Sequence, residues 1–320
     1  MYYIGIDVGG MSIKGGLTDG DGKLLYTDTV VTAGAYTEEH TISEDIHKLT
    51  VKLIEGAGID EKELKGIGIG QAGSIDSERG IIRYWNNIPM ENVHVREEMA
   101  KYHKAPVFID NDANVAALGE YRFGSGKGYD NLIFVTLGTG VGSGIIIDGK
   151  IFRGVEGAGA EAGHMVIMAG GERCNCGRRG CWEAYASASA LIRQTKAAIA
   201  AHPESAMARI AEEAGEVNGI TAFKAAKAGD EAAKEVVDKY IDYVGEGLVS
   251  LANIFRPRAF LIGGGISKEG EYLTAPLQRK LDTENFGSKF NPEVVVKPAI
   301  LRNDAGILGA VALAMQGTDN

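Results

Sequence analysis

A duplicated α/β core is the fold class that this 320-residue chain predicts. Two observations carry it. A strand, a glycine turn, a second strand and an Asp-Gly-Lys run occur near the N-terminus, and the same order returns from residue 132. A long helical pattern over 231–255 then feeds a strand that ends in three glycines. The length suits two ordinary domains or one large one. An apolar share of 45% permits a substantial core, and 24% charged residues is an ordinary share that argues against long disorder.

The elements follow in order. Residues 2–8 read as a strand, Gly9-Gly10 as a turn, and 13–17 as a second strand. Asp19-Gly20-Asp21-Gly22 is a hairpin signal, with a third strand over 24–31. Ile46, Leu49, Leu53 and Ile54 space a helix over 43–58, with Ser43 as its expected N-cap. Residues 65–70 and 107–109 are short buried strands, and 115–121 is helix-like. In the second pass 132–137 is a strand, 138–144 a glycine turn, 144–147 a strand, and Asp148-Gly149-Lys150 echoes Asp21-Gly22-Lys23. The region 183–256 is mostly helical, with 202–220 as a loop-rich connector. Arg256-Pro257 stops the long helix, 259–262 is a strand, and a last helix covers about 304–315. Residues 317–320 are expected to fray.

Composition excludes several function classes. Acids outnumber bases 43 to 33, for a net charge of -10, which disfavours non-specific nucleic-acid binding. No apolar run approaches the roughly 18 residues of a membrane span. The N-terminus lacks a signal-peptide pattern, so a cytoplasmic location is expected. Three cysteines fall within eight residues, which fits reduced thiols or a metal site and not a disulfide framework.

Glycine is the unusual residue: 45 of them, about twice the usual share of roughly 7%. They cluster after apolar strands, where a backbone turns tightly or lies against a ligand. In the stretch from Asp7 through Gly9, Gly10, Met11 and Ser12 to Lys14, freed backbone N–H groups can cradle phosphate. Asp7 at the strand end can hold Mg²⁺ through water. A plain structural hairpin explains Gly-Gly about as well. Gly138, Thr139, Gly140, Gly142 and Gly144 leave little side chain to pack, and phosphate contact is favoured over a mere tight turn. Gly263, Gly264 and Gly265 fit either a nucleotide's base and ribose or a strand-to-helix turn.

Asp110, Asn111 and Asp112 follow a strand and precede a helix, where α/β sheets place ligands. One acid can accept a proton from an attacking hydroxyl while the other caps the helix. The most specific signal is His164 with Cys174, Cys176 and Cys181. One His and three Cys supply a closed tetrahedral set for Zn²⁺, with no position for an activated water, so the metal would be structural. It would also pin Glu161 and Glu183, which flank the ligands.

With these residues in order, the chain resembles the ROK family of bacterial sugar kinases and sugar-responsive repressors. The likeness runs from Ile4 to about Ala314 and is strongest over 137–164 (LGTGVGSGIIIDGKIFRGVEGAGAEAGH) and the cysteine cluster. The resemblance implies an actin-like, hexokinase-type duplicated α/β fold of the ribonuclease H-like kind. A small lobe over 1–117 and a large lobe over 118–303, with a zinc knuckle at 164–181, would bind sugar and ATP in the cleft between them. A helix over 304–320 would return to the small lobe. It assigns Asp112 as the catalytic base and Gly73, Asn87, Asn111, Glu161, His164 and Glu183, with Asp112, as sugar contacts. The nucleotide would be held by the two glycine hairpins and by Gly264 and Gly265. Mg²⁺ would accompany ATP, and one Zn²⁺ would be structural. Glucose is the expected sugar, with glucose 6-phosphate and glycolysis following, because the cysteine stretch looks most like the glucokinase branch. Another hexose kinase (N-acetylmannosamine, N-acetylglucosamine or fructose) is an alternative, as is a non-catalytic regulator. With the first core strand starting at Tyr2, a repressor's winged helix is not expected ahead of it. Nucleic acid and membrane are not expected partners, and a homodimer is. One departure is Met11, where the family usually has threonine, so a hydroxyl near phosphate is missing.

Overall fold

Strand β1 (Tyr2–Val8) pairs antiparallel with β2 (Ser12–Asp19), which pairs antiparallel with β3 (Leu24–Val31). Their apolar residues Ile4, Ile6, Ile13 and Leu17 are fully buried, and this burial is the main driving term for the sheet. The computed structural model describes residues 1–37, 39–85 and 88–319. Helix α1 (Ile42–Ala57) follows and buries Ile46, Leu49 and Leu53 on one face. Its N-cap is Thr41 and not Ser43. Thr41 Oγ1 accepts from the Glu44 amide, and the Glu44 carboxylate accepts from the Thr41 amide, a reciprocal pair that Ser43, buried in the first turn, does not offer.

β4 (Leu64–Gln71) runs parallel to β1. A small antiparallel sheet that the sequence reading missed comes next: β5 (Ser74–Asp76), β6 (Ile81–Trp85) and β7 (Met90–Val93), then the short helix α2 (Val95–Met99). β8 (Val107–Asn111) runs parallel to β4 and hands over directly to α3 (Asp112–Phe123). The first sheet therefore has the order β3-β2-β1-β4-β8.

The second pass repeats that order. β9 (Leu132–Leu137), β10 (Val141–Ile147) and β11 (Lys150–Ile151) open it. Asp148 and Gly149, both with positive φ, make the two-residue turn between the last two. Five helices follow: α4 (Glu183–Ala186), α5 (Ala188–Ala201), α6 (Ala206–Ala214), α7 (Thr221–Lys227) and α8 (Glu231–Phe255). α6 corrects the expected loop-rich connector over 202–220. Ser205 caps it, and Asp230 Oδ2 accepts from Ser205 Oγ and the Ala206 amide. Only Met207 of α6 is buried, so no apolar periodicity announced it. β12 (Ala259–Gly263), α9 (Glu271–Glu284), β13 (Val295–Pro298) and α10 (Ala305–Thr318) complete the chain. The second sheet has the order β11-β10-β9-β12-β13, so strand order 3-2-1-4-5 occurs twice. The expected duplication is present.

Two compact units emerge. One comprises Met1–Asp130, Gly144–Ala160 and Ile300–Asn320; the other comprises Asn131–Ser143 and Glu161–Ala299. Within the first, α10 lies so close to the sheet that side chains are excluded. A Cβ on Gly5 would sit 2.1 Å from the Ile307 carbonyl, and one on Gly68 would sit 1.8 Å from that of Ala310. The end of α10 does not fray as expected. Gly317 packs on the Phe108 ring, and the Thr318 hydroxyl donates to the carbonyls of Ala314 and Met315.

Gly68→Ala should therefore force backbone apart and cost about 1–3 kcal/mol. Urea denaturation would read this as a lower midpoint at unchanged slope; an unaltered midpoint would contradict the close packing.

Candidate active site

In the first unit the chemistry-bearing residues stand at the carboxyl ends of three parallel strands. Asp7 of β1 registers with Gly70 of β4, and Gly70 registers with Asp110 of β8. Across the antiparallel pair Asp7 is opposite Lys14, which the pleat places on the same face. The Gly9-Gly10-Met11 turn is closed by the Gly9 amide to the Ser12 carbonyl at 3.0 Å. Thr32 braces it, donating its hydroxyl to the Gly9 carbonyl at 2.8 Å and its amide to the Met11 carbonyl at 3.2 Å. The Met11 side chain is 88% exposed, and Gly10 is exposed too.

Asp7 is a perturbed carboxylate. Burial, then the charge of Asp112, raise its pKa to about 6, and Lys14 offsets part of this. The start of α10 presses on it: a Cβ on Gly306 would lie 2.5 Å from its carboxyl carbon.

The Asp-Asn-Asp turn divides its labour differently from the reading that one acid caps and the other works. Asn111 is the cap: its Oδ1 accepts from the Ala113 amide at 2.9 Å and from that of Asn114 at 3.5 Å. Asp110, 2% exposed, is a structural anchor. It accepts from the Asn111 amide, from Asn114 Nδ2 at 3.0 Å and from Arg153 Nε at 2.5 Å. Asp112 is left with neither task. Its side chain is open to solvent, with Oδ1 accepting from the Ala113 amide at 2.9 Å. Desolvation by the crowded protein around it raises its pKa, and hydrogen bonds from Ala113 and Asn111 partly oppose the rise.

Asn111 Nδ2 also donates to the Gly73 carbonyl at 3.2 Å, which brings two expected sugar residues together. Gly73 has φ +107, and a Cβ there would lie 2.4 Å from the Tyr84 carbonyl, so glycine is required. Asn87 lies outside the described residues.

In the second unit the turn 138–140 is closed by the Gly138 amide to the Gly140 carbonyl, and the Gly138 carbonyl accepts from Ala188 at the start of α5. Thr139 is exposed, and Gly142 lies within β10. The Glu183 carboxylate sits against this hairpin. Its Oε2 accepts from the Val141 amide at 3.1 Å, and a Cβ on Gly140 would be 2.3 Å from it. Gly264 has φ +82 and abuts the Leu137 backbone, whereas Gly265 faces open space.

His164, Cys174, Cys176 and Cys181 converge. Their ligand atoms all lie within 4.8 Å of one another, with His164 Nδ1 3.7 Å from Cys174 Sγ and the other two sulfurs 3.6 Å apart. Such separations fit four ligands around one ion with bonds of about 2.0–2.3 Å, and the nitrogen and sulfur donor set suits zinc. Without metal, burial pushes the Cys174 thiol up to about 12, while the Arg178 backbone N–H lowers Cys176. Glu183 Oε1 accepts from Cys174 Sγ at 3.7 Å, so one carboxylate spans the knuckle and the hairpin. Glu161 is tied through its backbone: its carbonyl accepts from the His164 amide at 3.1 Å. The knuckle is anchored by Trp182, fully buried, whose Nε1 donates to the Tyr243 carbonyl on α8.

Two residues escaped the sequence reading. Arg153 clamps Asp110, and Thr32 braces the first glycine turn. Neither carries a local signal, since each acts on residues more than twenty positions away.

A repeated 3-2-1-4-5 sheet with a glycine hairpin at the head of each copy defines a duplicated α/β protein of the actin-like type. The ROK family model matches residues 3–317, and the chain belongs to that family. It is 38% identical over 316 residues to a glucokinase of Streptomyces coelicolor, covering 98% of this chain and 97% of the relative. It is 38% identical over 318 residues to a glucokinase of Thermotoga maritima, with coverage of 98% and 97%. Among solved structures it is similar to a ROK family glucokinase from Streptomyces griseus in complex with glucose and AMPPNP. That match has a TM-score of 0.81 and 37% identity, and covers 99% of this chain and 100% of that one. No helix among the described residues is long and apolar enough to cross a membrane.

The Asp7 shift carries a stability consequence. Its folded pKa of about 6 exceeds the ordinary 3.8, so the folded state holds the extra proton between those values. Stability is then lost as pH rises from about 4 to 6 and stays lost above. In metal-free protein, Asp7→Asn should raise stability at pH 7.5 by roughly 1–3 kcal/mol and leave it unchanged near pH 3.5. Thermal melts at the two pH values check this; equal midpoints for both proteins at pH 7.5 would refute it.

Proposed function

We propose that the chain transfers the γ-phosphoryl group of ATP to glucose, at the 6-hydroxyl, with Asp112 as general base. The observation that carries the assignment is the division of labour in the Asp-Asn-Asp turn. Asn111 caps the helix and Asp110 holds the fold, so of the three only Asp112 presents a solvent-exposed carboxylate, with one oxygen held by the Ala113 amide, where the parallel strand β8 ends. A pKa raised by desolvation makes that carboxylate a better proton acceptor as the hydroxyl attacks. The glucokinase names of full-length relatives support the sugar and the donor.

The remaining residues bind and orient. Backbone N–H groups of the turns after β1 and β9 receive phosphate oxygens, with Lys14 adding charge beside Asp7. Asp7 is a hard oxygen donor, suited to the Mg²⁺ that accompanies ATP. Gly264 and Gly265 lie under the nucleoside. Asn111, Glu161, His164 and Glu183 hold sugar hydroxyls, with Gly73 beside Asn111. His164, Cys174, Cys176 and Cys181 would hold one Zn²⁺, which supplies a cross-link and no chemistry at the reacting atoms. Met11 leaves the first turn without a hydroxyl, so backbone amides and Ser12 do that work. The same reading gives a cytoplasmic homodimer acting in glycolysis.

A coupled ADP-release assay should show turnover with glucose and Mg-ATP. Asp112→Asn should keep glucose binding and lower kcat by about 10²–10⁴. Near-normal kcat in that variant would remove Asp112 from the role of base.

A further inference from the structure

Within the first unit a cavity of about 500 Å³ gathers three cations, Arg122, Lys150 and Arg153. Arg122 stands in the last turn of α3 and Lys150 on β11, and Arg153 follows that strand by two residues. Among the described residues Arg122 and Lys150 form no ion pair. Glu78 and Asp319 also line the cavity, so the lining cations outnumber the lining acids three to two, while Asp110 already takes up part of the Arg153 charge. The volume is that of an ordinary small-molecule site. Two arginines and a lysine around one hollow are the usual means of holding a phosphate.

Arg153 gives this hollow a second meaning. Its Nε donates to Asp110, the anchor of the Asn111-Asp112 turn, while the side chain also lines the cavity. We propose that the cavity binds a small monophosphate dianion and that its occupancy reaches the Asp112 turn through Arg153. An anion on the guanidinium competes with Asp110 for the same positive charge. The buried Asp110 carboxylate then loses part of its compensation, and the turn it braces loosens. Occupancy therefore lowers turnover without excluding either substrate. Arg153 acts as a positioning residue, since it touches Asp110 and not the reacting groups. The binding claim is independent of the kinase reading, and the coupling claim rests on it.

Calorimetric titration with inorganic phosphate and with glucose 6-phosphate, on the full chain with glucose present, tests the binding. Turnover against each anion tests the coupling. The comparison protein is the double variant Arg122→Ala/Lys150→Ala. Loss of two charge-assisted contacts should weaken anion binding by about tenfold or more. Basal kcat should stay within about twofold, because both side chains are exposed and away from Asp112. In the unsubstituted chain inhibition should be non-competitive with glucose and with ATP, and the variant should lose it. Tighter binding of the ester than of phosphate would identify a sugar phosphate as the occupant; equal binding would identify free phosphate. Equal affinity in chain and variant, or inhibition that is competitive and survives the double substitution, would overturn the proposal. Should no sugar be phosphorylated while the variant still loses anion binding, the cavity assignment holds and the kinase reading fails.

Discussion

The contact that braces the Asp110-Asn111-Asp112 turn of the first unit is the buried ion pair between Asp110 and Arg153. A carboxylate 2% exposed cannot stay charged without a cation and hydrogen-bond donors. Asp110 has both: the guanidinium, the Asn111 amide and the Asn114 side chain. These bonds set the angle at which β8 turns into α3. Asn111 is thereby placed to cap the helix, and Asp112 emerges exposed, with only backbone and neighbouring contacts on its carboxylate. Removing one member of such a pair typically costs about 3–5 kcal/mol, because the other is left buried and uncompensated.

The second unit solves a similar problem with a different carboxylate. Glu183 holds the Val141 amide with one oxygen and meets Cys174 with the other. A zinc-bound Cys174 thiolate would have no proton to donate to Glu183, but in the metal-free protein the carboxylate ties the glycine hairpin to the cysteine knuckle. This also explains why position 140 is glycine: any side chain would displace Glu183. The close approach of α10 to β1 and β4 in the first unit follows the same logic, with Gly5 and Gly68 as the residues that permit it. Much of the excess glycine thus serves backbone proximity, within the core as well as at the turn after β9.

Legibility in the sequence tracked how local the determining physics is. α8 was bounded correctly because its side-chain period is long and clean, and β3 because the Asp19-Gly20-Asp21-Gly22 turn marks where it starts. The knuckle was legible because one His and three Cys at short spacing have few other uses. Caps and short strands were not. Thr41 outcompeted Ser43 through a reciprocal bond with Glu44, and β5 to β7 are only three to five residues long. The roles within Asp110-Asn111-Asp112 stayed open in the sequence. Which of the two acids is the buried anchor follows from Arg153, forty-three residues further on, and no local pattern announces that contact.

The most direct test of the Asp110–Arg153 contact is amide hydrogen exchange in Arg153→Ala. If the ion pair sets the turn, the Ala113 and Asn114 amides should exchange about tenfold faster or more, while amides in the middle of α8 keep their protection. Unchanged exchange at Ala113 and Asn114 would show that the turn holds its shape without Arg153, and the account of how Asp112 is presented would be wrong.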